Sequence, residues 1–335
     1  MKTRITISCI LFILLFVPNT YIAGQNIKDF TDIGANVQSG SLPPGWEYTI
    51  TWLVSAILIP HYAIISIYGD EPPEGSWLGV FYTDEFGVEK CGGACQYDYN
   101  LSMILTTFGN DNFTPEKDGF NTGEKYIWRI FDNVTMLEYP AIATYNPNSG
   151  NPNGTFGGLF CEILKLDAIL TLQIDVSAGW SGFSLPFNPL DQDVTGIFSE
   201  IEDQLIILQN AEFIYWPEEE INTFPYWWPT FGAQLKMADD ATLEVSGIPG
   251  ERTISLPEGW SYLPVMSICD VDVVALFVVI NDKIDLVKSI GGFQLYWPAM
   301  GINTLEMLQT GKAYLIKLNQ PATITFPACQ GTVKR

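Results

Sequence analysis

Gly179-Trp180-Ser181, Tyr215-Trp216-Pro217, Ile221-Asn222-Thr223 and Ala241-Thr242-Leu243 return later in the chain as Gly259-Trp260-Ser261, Tyr296-Trp297-Pro298, Ile302-Asn303-Thr304 and Ala322-Thr323-Ile324. The offset is 80 residues for the first block and 81 for the others. Solenoid units are shorter, so this period marks two copies of a small domain. Between the shared blocks, Val194, Phe198, Ile201 and Leu205 fall at i, i+4, i+7 and i+11, and Val273, Phe277, Ile280 and Ile284 repeat the stripe. That spacing predicts one face of a helix. Asp191 and Asp193 stand just ahead of it, placed to cap its first turn. Short apolar runs at 183–186, 205–208, 213–216, 234–237 and 243–245 read as strands. Each copy is thus expected to bury one helix against a small, mainly antiparallel sheet.

Upstream, Lys2 and Arg4 precede an apolar run to Pro18, and Ile22-Ala23-Gly24 offers small residues before Gln25. This is the pattern of an export signal, and its apolar core is short for a membrane span. The expected organisation is a signal peptide over 1–24, a polar leader over 25–40, an N-terminal domain over 41–174, and repeats over 175–250 and 251–330. In the N-terminal domain, strand-like runs at 48–58, 77–82, 103–108 and 126–131 alternate with turn signals such as Gly69-Asp70-Glu71-Pro72-Pro73. Many short strands at this spacing favour an antiparallel β-sandwich. Residues 161–174 are expected to return to that sheet. The fold class is therefore mainly β with α+β repeats, an N-terminal antiparallel β-sandwich followed by two small tandem α+β modules.

The formal charge is -22, with 38 acids and 16 bases. A surface that acidic repels phosphate backbones, which excludes nucleic acid as a partner. Export permits disulfides, but the five cysteines after Cys9 are an odd number. Cys91-Gly-Gly-Ala-Cys95 offers a small closed loop, and Cys269 and Cys329 lie near the first and last strands of the second repeat. Buried free thiols are the alternative for each.

The order Gly-Trp, apolar-Pro, helix, Tyr-Trp-Pro, Ile-Asn-Thr and a strand ending in Lys resembles a module of secreted proteins from Bacteroidetes-type bacteria. The close reads Pro229-Thr-Phe-Gly-Ala-Gln-Leu-Lys236 in the first copy and Thr310-Gly-Lys-Ala-Tyr-Leu-Ile-Lys317 in the second. Leu78-Gly-Val-Phe-Tyr-Thr-Asp84, Lys90-Cys-Gly-Gly93 and Phe108-Gly-Asn-Asp-Asn-Phe-Thr-Pro-Glu-Lys-Asp-Gly-Phe120 resemble a domain of the same secretomes. The resemblance implies a secreted, modular protein at the cell surface or outside the cell, without an agreed activity. Many such proteins close on a type IX sorting domain, whereas this sequence closes on Thr332-Val-Lys-Arg335.

Two groups of residues offer binding chemistry. Tyr226-Trp227-Trp228 is a cluster without a counterpart in the second copy, and flat aromatic faces suit sugar rings. The repeated Tyr215-Trp216 and Tyr296-Trp297 are better explained as packing, with alternation along the strand turning each Tyr and Trp to opposite sides. Asp111, Glu116, Asp118 and Glu124 supply hard oxygen ligands in one loop, suited to calcium. The bland alternative is a hairpin whose Asp and Asn side chains satisfy their own turn. His61, the sole histidine, sits in an apolar stretch and reads as a structural residue rather than a general base. No nucleophile elbow, zinc-protease helix or P-loop motif occurs. The expectation is a secreted, non-catalytic binding or structural protein. A carbohydrate-binding accessory role is the alternative, and a glycoside hydrolase using two of the many carboxylates the remoter one.

Overall fold

The computed structural model describes residues 41–111, 113–158 and 160–329. The expected signal peptide, the leader, Asn112 and the tail after Cys329 lie outside the described residues. The chain is mainly β, with several separate sheets. Within the described residues it divides into two compact units, one of residues 41–66 and 71–167, the other of 67–70 and 168–329.

The first unit runs β1 (Val54–Ile59), β2 (Ile64–Ser66), β3 (Trp77–Thr83), β4 (Glu89–Gln96), β5 (Met103–Phe108), β6 (Ile127–Asp132), β7 (Leu137–Tyr145) and β8 (Cys161–Ala168). These form one sheet in the order β4-β3-β6-β7-β8-β1-β5, with β2 also beside β8. β1 with β5, β3 with β4, β3 with β6 and β6 with β7 pair antiparallel, whereas β8 runs parallel to β1 and β2. Glycines let this sheet curl until it is nearly closed. A Cβ on Gly93 would stand 2.2 Å from the Thr106 carbonyl oxygen, so β4 and β5, the two ends of the order, meet backbone to backbone. On β3, a Cβ on Gly79 would stand 2.4 Å from the Trp46 ring, and the buried indole fills that space. The Cys91–Cys95 loop does not form: both residues lie in β4 and both are free thiols, as is Cys161. Four residues of extended strand span about 13 Å, well beyond disulfide reach.

The second unit begins with β9 (Leu170–Val176), β10 (Gly179–Phe183), β11 (Phe187–Pro189), α1 (Val194–Phe198), β12 (Leu205–Gln209), β13 (Ile214–Trp216), β14 (Ile221–Asn222), β15 (Ala233–Met237) and β16 (Ala241–Pro249). It continues with β17 (Thr253–Leu256), β18 (Gly259–Pro264), β19 (Val271–Asp272), α2 (Val273–Phe277), β20 (Ile284–Ser289), β21 (Leu295–Trp297), β22 (Ile302–Asn303), β23 (Met307–Leu308), β24 (Ala313–Leu318) and β25 (Ala322–Thr325). Two five-stranded sheets have the orders β10-β15-β12-β13-β14 and β18-β24-β20-β21-β22. Smaller sheets β11-β16-β9, β17-β25 and β19-β23 flank them. β9 pairs along its whole length with β16, so residues 170–174 leave the N-terminal sheet, where the sequence pattern places them.

Each five-stranded sheet covers its own apolar core. One is built on Phe183, Phe198, Leu208, Tyr215, Trp227 and Leu235, the other on Leu263, Phe277, Val287, Tyr296 and Ile316. The continuous helix predicted by the apolar stripe is shorter. Val194 and Phe198 lie in α1, Ile201 precedes a 3-10 turn over Glu202–Gln204, and Leu205 opens β12. Val273, Phe277, Ile280 and Ile284 do the same around α2. All eight are buried. The stripe reports the buried side correctly and the backbone only in part. Asp193 caps α1 through the Thr195 amide and Asp272 caps α2 through the Ala275 amide. Cys269 and Cys329 form a disulfide across a separation of 60 residues.

The two sheets meet through small residues that are not shared. A Cβ on Gly182 would stand 1.9 Å from the Ala313 oxygen, and one on Gly291 1.8 Å from the Trp180 oxygen. Ser184, fully buried, donates its hydroxyl to the Lys312 carbonyl and accepts from the Val265 amide at 3.0 Å.

Candidate functional site

The aromatic cluster divides by side. Trp227 is 0 % exposed, held by Phe183, Phe224 and Phe231 with ring centres 5.1, 5.9 and 6.1 Å away. Its amide donates to the Gln192 carbonyl. Trp228 is 44 % exposed and Tyr226 is also outside. The rings of Phe183, Phe224 and Phe231 enclose the middle side chain, while its two neighbours stay at the surface. Trp227 is therefore a core residue and no platform partner for Trp228, which corrects the expected ligand site.

In the acidic loop, Asp111 is buried and accepts from the Phe113 amide at 2.9 Å. Asp118 accepts from the Asp111 amide at 3.3 Å. Glu124 receives the Lys117 ammonium at 2.8 Å and the amides of Asn121 and Thr83 at 2.8 and 3.3 Å. Glu116 is exposed. Lys117 also donates to the Thr83 carbonyl and lies 5.2 Å from the centre of the Tyr82 ring. The side chain next to Glu124 is thus a cation of the chain itself. Among the described residues no three His, Cys, Asp or Glu side chains are gathered in a metal-holding group.

Elsewhere, His61 is exposed and its Nδ1 lies 3.4 Å from the Ser102 hydroxyl. Burial pushes the thiols of Cys91, Cys95 and Cys161 up to about 12, so they are protonated and poor nucleophiles at neutral pH. A cleft bordered by Tyr68, Arg252 and Cys329 encloses about 20 Å³, the room of one water.

The feature that pattern reading missed is on the outer face of the two five-stranded sheets. Trp180 pairs with Lys236, Lys236 with Ile207, and Trp216 with Ile221. The register of β12 with β13 sets Ile207 opposite Trp216, completing one row across five strands. In the second sheet Trp260 pairs with Lys317, Lys317 with Leu286, and Trp297 with Ile302. There Leu286 falls opposite Trp297 by the same register. Both rows read Trp, Lys, Ile or Leu, Trp, Ile, and each crosses a bulge at the same place. Four strand spacings give a length of about 19 Å. Trp180 is 40 % and Trp260 52 % exposed, and Ile221, Trp297 and Ile302 are exposed too. The tyrosines beside them, Tyr215 and Tyr296, turn into the cores, as strand alternation requires. Packing was the expected role of Trp216 and Trp297; Trp297 faces outward, whereas Trp216 is half-buried with its Nε1 sealed from solvent.

Cross-strand pairing accounts for part of such a row, since a lysine stem lying on an indole stabilises a sheet by a few tenths of a kcal/mol to about 1 kcal/mol. The Lys236 ammonium stands 6.0 Å from the Trp180 ring centre. Large apolar rings left outside at matching places also present a flat, amphipathic surface to a ligand. Comparison with family models, curated proteins and solved structures returns no match to this chain.

Proposed function

We propose that this is a secreted, non-catalytic modular protein that binds a glycan outside the cell or at its surface. In this reading two copies of one α+β module, each with a helix turn against a five-stranded sheet, display the same aromatic row. The first copy takes in β9 and so begins near Leu170. The observation that carries the reading is the row itself, with an exposed tryptophan at its first place in both sheets, Trp180 and Trp260, and a tryptophan at its fourth place that is exposed in the second sheet, Trp297, and half-buried in the first, Trp216. Residues kept in a core are explained by packing, but a repeated exposed tryptophan is not. Flat rings spaced along a strip, with a lysine between them, suit a chain of pyranose rings with apolar faces and hydroxyl edges. The resemblance to secreted Bacteroidetes-type modules and the export-signal pattern support an extracellular site of action. Among the described residues no helix is long and apolar enough to cross a membrane.

Pull-down on a panel of insoluble polysaccharides tests the reading, with wild type compared against Trp180→Ala/Trp260→Ala. Retention of the wild type on at least one polymer is expected. Removing an interface tryptophan costs more than 1 kcal/mol at a hot spot, so the double variant should bind about tenfold or more weakly. Equal retention of both, with both folded by thermal melt, would defeat the proposal.

A further inference from the structure

We infer that the first row is a subsite for an isolated carboxylate on an otherwise neutral glycan, a uronate, while the second row takes neutral sugar. This rests on the glycan-binding reading above. Lys236 is the one basic residue between Lys165 and Arg252, and it sits in the outward row between Trp180 and Ile207. Its counterpart Lys317 is neutralised by Asp285 at 2.9 Å. The position equivalent to Asp285 in the first sheet is Ile206, which cannot pair a cation. Among the described residues Lys236 has no ion pair, and its ammonium keeps company only with the Trp180 ring. The copies, whose rows otherwise match apart from Ile207 for Leu286, differ at the residue that decides whether the lysine is paired.

The far end of the first row carries the opposite charge. Trp216 leads directly into exposed Glu218, Glu219 and Glu220, where the second copy has Ala299, Met300 and Gly301. A polyanion lying along the row would meet these three carboxylates, an unfavourable juxtaposition that excludes it. A neutral chain with one acidic sugar would place that sugar over Trp180, its carboxylate on Lys236, and a neutral ring over Trp216. The charge pattern is therefore complementary to a dispersed acid and not to a dense one.

Two polymers with dispersed uronates serve as probes, glucuronoxylan and a glucuronate-bearing arabinogalactan, each beside its carboxyl-reduced form. Affinity electrophoresis at about 0.15 M salt would compare the wild-type chain, Lys236→Gln and Ile206→Asp. The wild type should prefer an acidic polymer over its reduced form by about tenfold, the worth of one charge-assisted hydrogen bond. Both variants should lose the preference, and Ile206→Asp, which lies outside the row and gives Lys236 the partner that Lys317 has, should keep binding to the reduced polymer. Equal binding of acidic and reduced forms by wild type would overturn the uronate subsite and leave the glycan reading standing. A preference that persists in both variants would also overturn it, placing the cation elsewhere. No binding to any of these or to the wider polysaccharide panel would overturn both.

Discussion

Trp227 and Trp228 are neighbours in sequence and opposites in role. Trp227 packs against three aromatic rings and has no exposed surface, whereas Trp228 faces out. Trp227→Ala should therefore cost about 3–5 kcal/mol of stability, and Trp228→Ala within about 0.5 kcal/mol, in urea unfolding of the full chain. Composition and uniqueness drew attention to both, but nothing in Tyr226-Trp227-Trp228 reveals which ring goes inward. The ring that goes inward is chosen partly by Phe183 of β10, far earlier in the chain. At the acidic loop the residue types were legible and the partner was not. Lys117 occupies Glu124, and the Asp side chains accept amides of their own turn. Millimolar calcium and chelator should accordingly give the same melting temperature. An upward shift of several degrees with calcium would mean that the loop closes on the ion.

Among the elements, α1 and α2 show what an apolar stripe can and cannot say. The stripe names the residues that enter the core, and all eight do. It overstates the helix, because Ile201 and Ile280 leave helical geometry and the chain turns into a strand within one further turn. The caps were legible, since Asp before an apolar run is chemistry local to the sequence. Hydrogen bonds from the Thr195 hydroxyl and amide hold the Asp193 carboxyl below its ordinary pKa. A carboxylate depressed in the folded state contributes stability above its unfolded pKa and loses it as pH falls through the folded value. Asp193→Ala should thus cost about 0.5–1 kcal/mol at pH 7, and the difference from wild type should shrink below about pH 4. Urea titrations at both pH values measure it, and a difference unchanged by pH would count against the cap. The outer rows were the less legible part. Their members come from five strands, so only register brings them together. Duplication pointed to them, but duplication alone speaks for packing as readily as for exposure.

At the scale of the whole molecule, the mainly β architecture could be read from the spacing of turn signals. The nearly closed N-terminal sheet could not, because closure depends on Gly93 meeting Thr106 across a strand order no local pattern encodes. The contact between the two C-terminal sheets is similarly non-local, and it falls where the copies differ. Gly182→Val would push its side chain into the Ala313 carbonyl, so it should destabilise the protein by about 1–3 kcal/mol or more. The matching position in the second copy, Tyr262, already carries a large side chain. An unchanged urea midpoint for Gly182→Val would show that the sheets do not meet as described. The central claim, that the shared outer rows bind glycan, is tested most directly by hydrogen–deuterium exchange of the full chain with and without a polysaccharide retained in the pull-down. The account predicts slowed exchange in peptides covering β10 with β13 and β18 with β21. Protection confined to residues 41–167, with both rows unchanged, would contradict it.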